Sequence, residues 1–213
     1  METLDLARTS VFLDFDGTIS TSDVGVHLLE RFADGWLDYD DAFAAGLIGS
    51  RECMAEQWKC IRPRTTEPEL RASAAEVELD AGLAPLVAGL RSAGAEITVV
   101  SDGYGFYVRD ALASFALDVL TNEVDFATGT ITHPYFDSDC PCGLCGTCKR
   151  APILEAKQRG RSIVFVGDGV SDRRAAPLAD RLYAKDRLAE WCDAEQLPYI
   201  AFATLADVAD HLL

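Results

Sequence analysis

Positive charge is what this 213-residue chain has least of: 19 lysines and arginines face 35 aspartates and glutamates, a formal net charge of −16. Such a field repels polyanions, so neither nucleic acid nor an anionic membrane surface is an expected partner. Long apolar runs are also missing. The first apolar cluster, Val11 to Phe15, contains Asp14 and is far too short to span a bilayer. Met1 to Ser10 holds no apolar stretch followed by a small-residue cleavage site, so the expected compartment is the cytoplasm. Histidine is scarce, and His27, His133 and His211 form no cluster and receive no role. Internal repeats and low-complexity tracts are absent.

What is present suffices for a sizeable core, with 49% hydrophobic residues. Ser10 to Phe15 reads as a buried strand, and Glu96 to Ser101, Leu117 to Thr121, Ser162 to Gly167 and Arg181 to Ala184 share its character. Continuous apolar character suits strands covered on both faces. Between them lie helical patterns: Leu83, Leu86, Val87 and Leu90; Tyr104 to Phe115; and Leu205, Val208 and Leu212. The alternation predicts an α/β fold with a doubly wound, Rossmann-like parallel sheet. One stretch interrupts it. Ser22 to about Leu79 holds no strand but four helical segments, near Val24–Phe32, Tyr39–Leu47, Arg51–Trp58 and Glu67–Leu79. A crossover needs one helix, not four. The expected organisation is therefore a core of residues 1–20 and 80–213, with a helical insert at 21–79. Asn122 to His133 reads as a hairpin turning at Thr128-Gly129, followed by a cysteine-rich loop.

Four signals carry chemistry. Asp14-Phe-Asp16-Gly17-Thr18 follows the first strand and places two carboxylates at its carboxyl end, where open α/β sheets bind ligands. Their charge calls for a cation, and Mg²⁺ prefers carboxylate oxygen. Ser101-Asp102-Gly103 follows another strand, where a hydroxyl and backbone amides at a helix start form either a phosphate seat or an ordinary N-cap. Lys149 precedes an apolar helix and would pass unnoticed alone. Gly167-Asp168-Gly169-Val-Ser-Asp172 ends a further strand, with Asp168 and Asp172 suited to metal or to a turn and helix cap.

The order of these signals resembles the haloacid dehalogenase superfamily over about Val11 to Ala184. The resemblance implies that Asp14 is a nucleophile forming an aspartyl phosphate and that Asp16 is the general acid and base. It implies Mg²⁺ held by Asp14, the Asp16 backbone carbonyl and Asp168, with Asp172 supporting. Ser101 and Gly103, with Thr18 and Asp102, would meet the phosphoryl group, and Lys149 would neutralise charge. Metal, lysine and helix start would then supply the positive charge that a phosphate ester needs in so acidic a protein. Asp16 points to phosphatases and phosphomutases rather than dehalogenases, because a halide leaves without a proton. The insert resembles the cap of the phosphoserine phosphatase-like branch, in which Asp23 and Arg51 would contact substrate.

Within that branch, Tyr135 to Lys149 resembles the enolase-phosphate phosphatases of methionine salvage, and phosphoethanolamine/phosphocholine phosphatases also carry cysteines before this lysine. Ser-Asp-Gly departs from the usual Ser-Gly-Gly, setting the Asp102 side chain beside the seat. Cys140, Cys142, Cys145 and Cys148 supply enough thiolates for a structural Zn²⁺, although the spacing is not that of two separated pairs. Disulfides and packed reduced thiols stay open. The expectation is a phosphatase for a small phosphorylated metabolite. A phosphomutase or phosphotransferase, and a non-catalytic binding protein on the same fold, are the alternatives.

Overall fold

Side chains along a strand point alternately to the two faces of its sheet. In the strand Thr9–Leu13 (β1) all five residues are buried. Val11 and Leu13 join one apolar cluster and Phe12 joins another, so both faces of the sheet are covered. The computed structural model describes residues 4–140 and 145–213.

After β1 come four helices, α1 (Val24–Phe32), α2 (Leu37–Ala44), α3 (Ser50–Cys60) and α4 (Glu67–Ala74). Helix α5 (Leu83–Ser92), strand β2 (Glu96–Tyr104) and helix α6 (Gly105–Leu112) follow, then strands β3 (Asp118–Asp125) and β4 (Thr130–Thr132). The chain continues through helix α7 (Arg150–Gln158), strands β5 (Ser162–Gly167) and β6 (Arg181–Ala184), helix α8 (Asp186–Glu195), strand β7 (Ile200–Ala201) and helix α9 (Leu205–Leu212). The expected α/β sheet is present, in the order β4-β3-β2-β1-β5-β6-β7. Its neighbours pair in parallel except β4, which returns antiparallel to β3 with Val124 opposite Ile131. The expected hairpin therefore exists, but its first arm is the end of β3.

Local chemistry sets the helix ends. Asp23 caps α1 by accepting from the Val26 amide at 2.8 Å. Thr66 and Glu69 form a reciprocal capping box at α4, and Thr204 and Asp207 another at α9. The helical pattern expected to Leu79 stops at Ala74, because the chain beyond is recruited elsewhere: Thr21 N–H donates to the Glu78 carbonyl and Asp80 N–H to the Ile19 carbonyl, each near 2.9 Å. These two bonds close the base of the four-helix segment.

One face of the sheet packs Leu86 and Leu90 of α5, Val108 and Leu112 of α6, and Val208 and Leu212 of α9 against Val11, Leu13, Val99 and Val164. The other packs Ile153 of α7 and Leu188 of α8 against Phe12, Val100 and Phe165. Among the described residues no helix is long and apolar enough to cross a membrane. The sheet's strand order reverses between β1 and β5, and a crevice opens at such a switch point, outside the carboxyl ends of the strands. Asp14 and Asp168 each follow directly on one of these two strands.

Candidate active site

Asp14 leaves β1 with its amide bonded to the Val166 carbonyl of β5 at 2.9 Å, which sets its side chain in the crevice. It is 4% exposed. Lys149, from the turn before α7, is 3% exposed and reaches across. Its Nζ donates to Asp14 Oδ1 at 2.5 Å, to Asp172 Oδ1 at 2.7 Å and to Ser171 Oγ at 2.9 Å. Asp172 Oδ2 accepts the amides of Asp168 and Gly169 at 3.1 and 3.0 Å. Asp172 therefore shapes the acidic loop while orienting the lysine.

Gly17 has a φ of +76°, and a side chain there would run into the Asp168 carboxylate. The glycine thus serves both the turn after Asp16 and the close approach of the two acidic loops. Thr18, buried, donates to Asp168 Oδ1 at 2.8 Å. The sequence groups Thr18 with the phosphate contacts; the structure directs its hydroxyl to Asp168 instead.

Asp14, Asp168 and Asp172 are, among the described residues, the one group of three potential ligands whose atoms lie within 4.8 Å of one another. Burial first, and then the Asp172 carboxylate, push Asp14 well above the usual carboxylate range, with Lys149 pulling the other way. The same two influences bring Asp168 up to about 6. Burial would lower Lys149, but Asp14 and Asp172 more than offset it and keep it charged. Counted as fully ionised, three carboxylates against one ammonium leave two negative charges in a buried cluster, the repulsion that raises Asp14 and Asp168. That deficit, all on oxygen, fits a hard divalent cation such as Mg²⁺.

Asp16 faces the same space from the other side. Its Oδ1 accepts the Val24 amide at the start of α1 at 3.0 Å, and its Oδ2 accepts from the Tyr107 hydroxyl at 3.0 Å and from Ser101 Oγ at 3.4 Å. Burial, and then the Asp23 carboxylate, push Asp16 up to about 8, while Tyr107 and the Val24 amide pull it back. Tyr107 was legible only as part of the apolar stripe of α6. A buried tyrosine hydroxyl needs a partner, and that requirement is the one clue the sequence held.

The Ser101 segment is made by a register shift in the β2–β3 pairing between Val100 and Tyr104. Such an irregularity frees residues from the ladder and re-aims them. Ser101 is fully buried, and its Oγ accepts the Gly103 amide at 2.9 Å. The expected Gly103 donor is thus engaged internally. Asp102 does not stand loose beside the seat. Its carboxylate accepts from Ser50 Oγ of α3 at 2.5 Å, from the Thr147 amide at 2.6 Å and from Asn122 Nδ2 of β3 at 3.4 Å. The departure from Ser-Gly-Gly therefore acts as a tie between the helical insert, β3 and the segment that delivers Lys149.

The remaining candidates are placed as follows. Asp23 caps α1 and acts on Asp16 through its charge. Arg51 stacks on the Phe136 ring, its guanidinium carbon 3.7 Å from the centroid. Cys142 lies outside the described residues, and Cys140, Cys145 and Cys148 do not form a ligand group with one another. Cys148 is buried directly before Lys149.

Comparison with known proteins agrees with this geometry. The sequence profile of the haloacid dehalogenase-like hydrolases matches residues 11–177. The 2-hydroxy-3-keto-5-methylthiopentenyl-1-phosphate phosphatase of an Exiguobacterium species is 28% identical over 210 residues, covering 96% of this chain and 97% of its own length. The protein of that name from Geobacillus kaustophilus is 29% identical over 208 residues, covering 95% and 94%. A solved phospho-aspartyl intermediate analogue of phosphoserine phosphatase superposes with a TM-score of 0.76 at 15% identity, covering 97% of this chain and 99% of that one, which is a likeness of fold.

Proposed function

The chain belongs to the haloacid dehalogenase-like hydrolases, and on that premise we propose that it is a magnesium-dependent phosphatase acting on a small-metabolite phosphomonoester, with the enolase phosphate of methionine salvage as its substrate. The observation that carries the reading is the buried Asp14–Lys149–Asp172 cluster facing Asp168 and, across the crevice, Asp16.

In this reading Asp14 attacks phosphorus through a carboxylate oxygen, and the P–O bond to the leaving group breaks. Asp16 gives its proton to the departing oxygen and later takes one from the water that hydrolyses the aspartyl phosphate. A carboxyl held near 8 carries that proton at neutral pH, so its environment suits the acid role. Lys149 offsets the charge that gathers on Asp14 and the phosphoryl oxygens, and Asp172 keeps the ammonium aimed. Asp14, the Asp16 carbonyl and Asp168 would hold Mg²⁺, which when bound supplies further charge neutralisation at the phosphoryl group. The helical segment of residues 21–79 would act as a cap that excludes water and reads the leaving group. The 28% and 29% identities to methionine-salvage phosphatases over nearly the whole length support that substrate.

The test is phosphate release in Mg²⁺ from the salvage enolase phosphate, phosphoserine, phosphoethanolamine, phosphocholine and an aryl phosphate. Free inorganic phosphate, preferentially from the enolase phosphate, is expected from the wild type, and its loss from Asp14→Asn. Unchanged release in Asp14→Asn would overturn the mechanism, and preference for another member of the panel would overturn the substrate.

A further inference from the structure

A cavity of about 210 Å³ opens between the helical segment and the core, lined on the core side by Asp102 and Ser171. Phe43 of α2 and Ile48 line one side; Asp102, Ser171, Arg173 and Arg174 line the other. Ser171 is the residue that accepts from the Lys149 ammonium, so the cavity begins one side chain away from the group that holds Asp14.

The charge on the core side is unusual for this protein. Six other arginines of the described residues each lie within 4.0 Å of a carboxylate, as expected where acids outnumber bases so heavily. The Arg173 and Arg174 side chains have no ion pair or hydrogen bond with any described residue, and Arg173 Nε is buried without a partner. A buried donor left without an acceptor is costly. Asp102, the one carboxylate on the cavity wall, is already taken up by Ser50 and Thr147. The cavity is thus lined by two arginines with uncommitted guanidinium groups together with the apolar side chains of Phe43 and Ile48.

We propose that this cavity is the leaving-group subsite, in which Arg173 and Arg174 bind an oxygen-rich group of the substrate, a carbonyl, enolate or carboxylate, while Phe43 and Ile48 receive a short apolar arm. The planar guanidinium matches such oxygen pairs, and an apolar arm gains by leaving water. The same arginines reject leaving groups with a fixed positive charge. This assignment rests on the phosphatase reading and adds to it a chemical class of substrate: phosphomonoesters carrying an oxygen acceptor and an apolar arm, and no cation.

The experiment measures kcat/KM in Mg²⁺ for three phosphomonoesters: a 2-oxoalkyl phosphate, the plain alkyl phosphate of equal length, and phosphoethanolamine. The wild type is expected to favour the 2-oxoalkyl phosphate over the plain one, and both over phosphoethanolamine. In Arg173→Gln, and separately in Arg174→Gln, the oxo-to-plain ratio is expected to fall by about 10- to 100-fold, the worth of a charged hydrogen bond. The loss should lie mainly in KM, and Arg173→Lys should restore part of the ratio. Because a ratio is read, a variant that merely loses folded protein leaves it unchanged. A ratio unaltered in both variants, or a wild-type preference for phosphoethanolamine, overturns the subsite while leaving the phosphatase reading in place. A wild type inert toward all three overturns both.

Discussion

Replacing Tyr107 by Phe removes one hydroxyl and leaves the ring. Tyr107 is 4% exposed, and its ring packs against Phe15, Tyr104 and Phe106. Nothing in that packing involves the hydroxyl, which donates to Asp16 Oδ2 at 3.0 Å. A hydrogen bond to a charged acceptor is worth about 1.5–3 kcal/mol, and one to a neutral acceptor about 1. The difference of ~1 kcal/mol is the amount by which Tyr107 favours ionised Asp16, and it corresponds to about 0.7 pH unit. The sign follows directly. Tyr107 pulls down a carboxyl that burial and Asp23 push up to about 8, so its loss moves Asp16 higher still. Asp16 must be protonated to expel an alkoxide, and activity falls as pH rises through its titration. In Tyr107→Phe the alkaline limb of kcat/KM for an alkyl phosphate should therefore shift upward by about 0.7 unit. The assay is a pH profile of phosphate release at saturating Mg²⁺ for wild type and variant. An aryl phosphate, whose leaving group needs little protonation, should show a weaker shift. A limb that stays in place or moves to lower pH would refute the assignment of the proton to Asp16 and the role of Tyr107 in tuning it.

Two further outcomes follow. Lys149→Met leaves Asp14 and Asp172 facing each other without their cation, and breaking such a buried pair should cost about 3–5 kcal/mol in urea unfolding along with the activity; a loss below ~1 kcal/mol would contradict the burial of that ion pair. In chelator, the raised carboxyls of Asp14, Asp16 and Asp168 make the folded state bind more protons than the unfolded one above pH 4, so thermal stability should fall between pH 6 and 8, against a smaller opposite effect of His133, which burial holds below its ordinary value. Millimolar Mg²⁺ should remove most of that fall, and a melting temperature that rises with pH in chelator would show that burial and mutual repulsion do not raise these carboxyls.

Where pattern and burial coincide, the chain was readable. The strands Ser162–Gly167 and Arg181–Ala184 and the helix Val24–Phe32 stand where their apolar patterns place them, because strands covered on both faces and an amphipathic helix each leave a local signature. Residues 102–104 are not legible as strand, since the register shift that carries β2 on to Tyr104 is a property of its pairing with β3. At the site, Asp14, Lys149, Asp168 and Asp172 are brought together as the motif order implies. Thr18, Asp102 and Arg51 carry contacts that no spacing announces, with Asp168, with Ser50 and Thr147, and with Phe136. Tyr107 went unseen for a related reason: in a helical stripe it is indistinguishable from Phe until its hydroxyl finds Asp16.

The position of β1 has a consequence for how the molecule is made. Of the strands in this sheet, the earliest in the chain is a middle strand of the finished sheet, and Thr9 meets its partner on one edge only when Ser162 has been synthesised. At roughly 5–20 residues per second, the nascent chain carries that edge open for about 8–30 s. During this interval Thr9–Leu13, apolar on both faces, is a template for intermolecular pairing. Lys149, Asp168 and Asp172 also come later in the chain, so Asp14 waits for the groups that hold it until Lys149, 135 residues on, has been added. Early termination would therefore release fragments that carry Asp14 on a sticky, half-paired strand, a burden on chaperones rather than a source of stray catalysis.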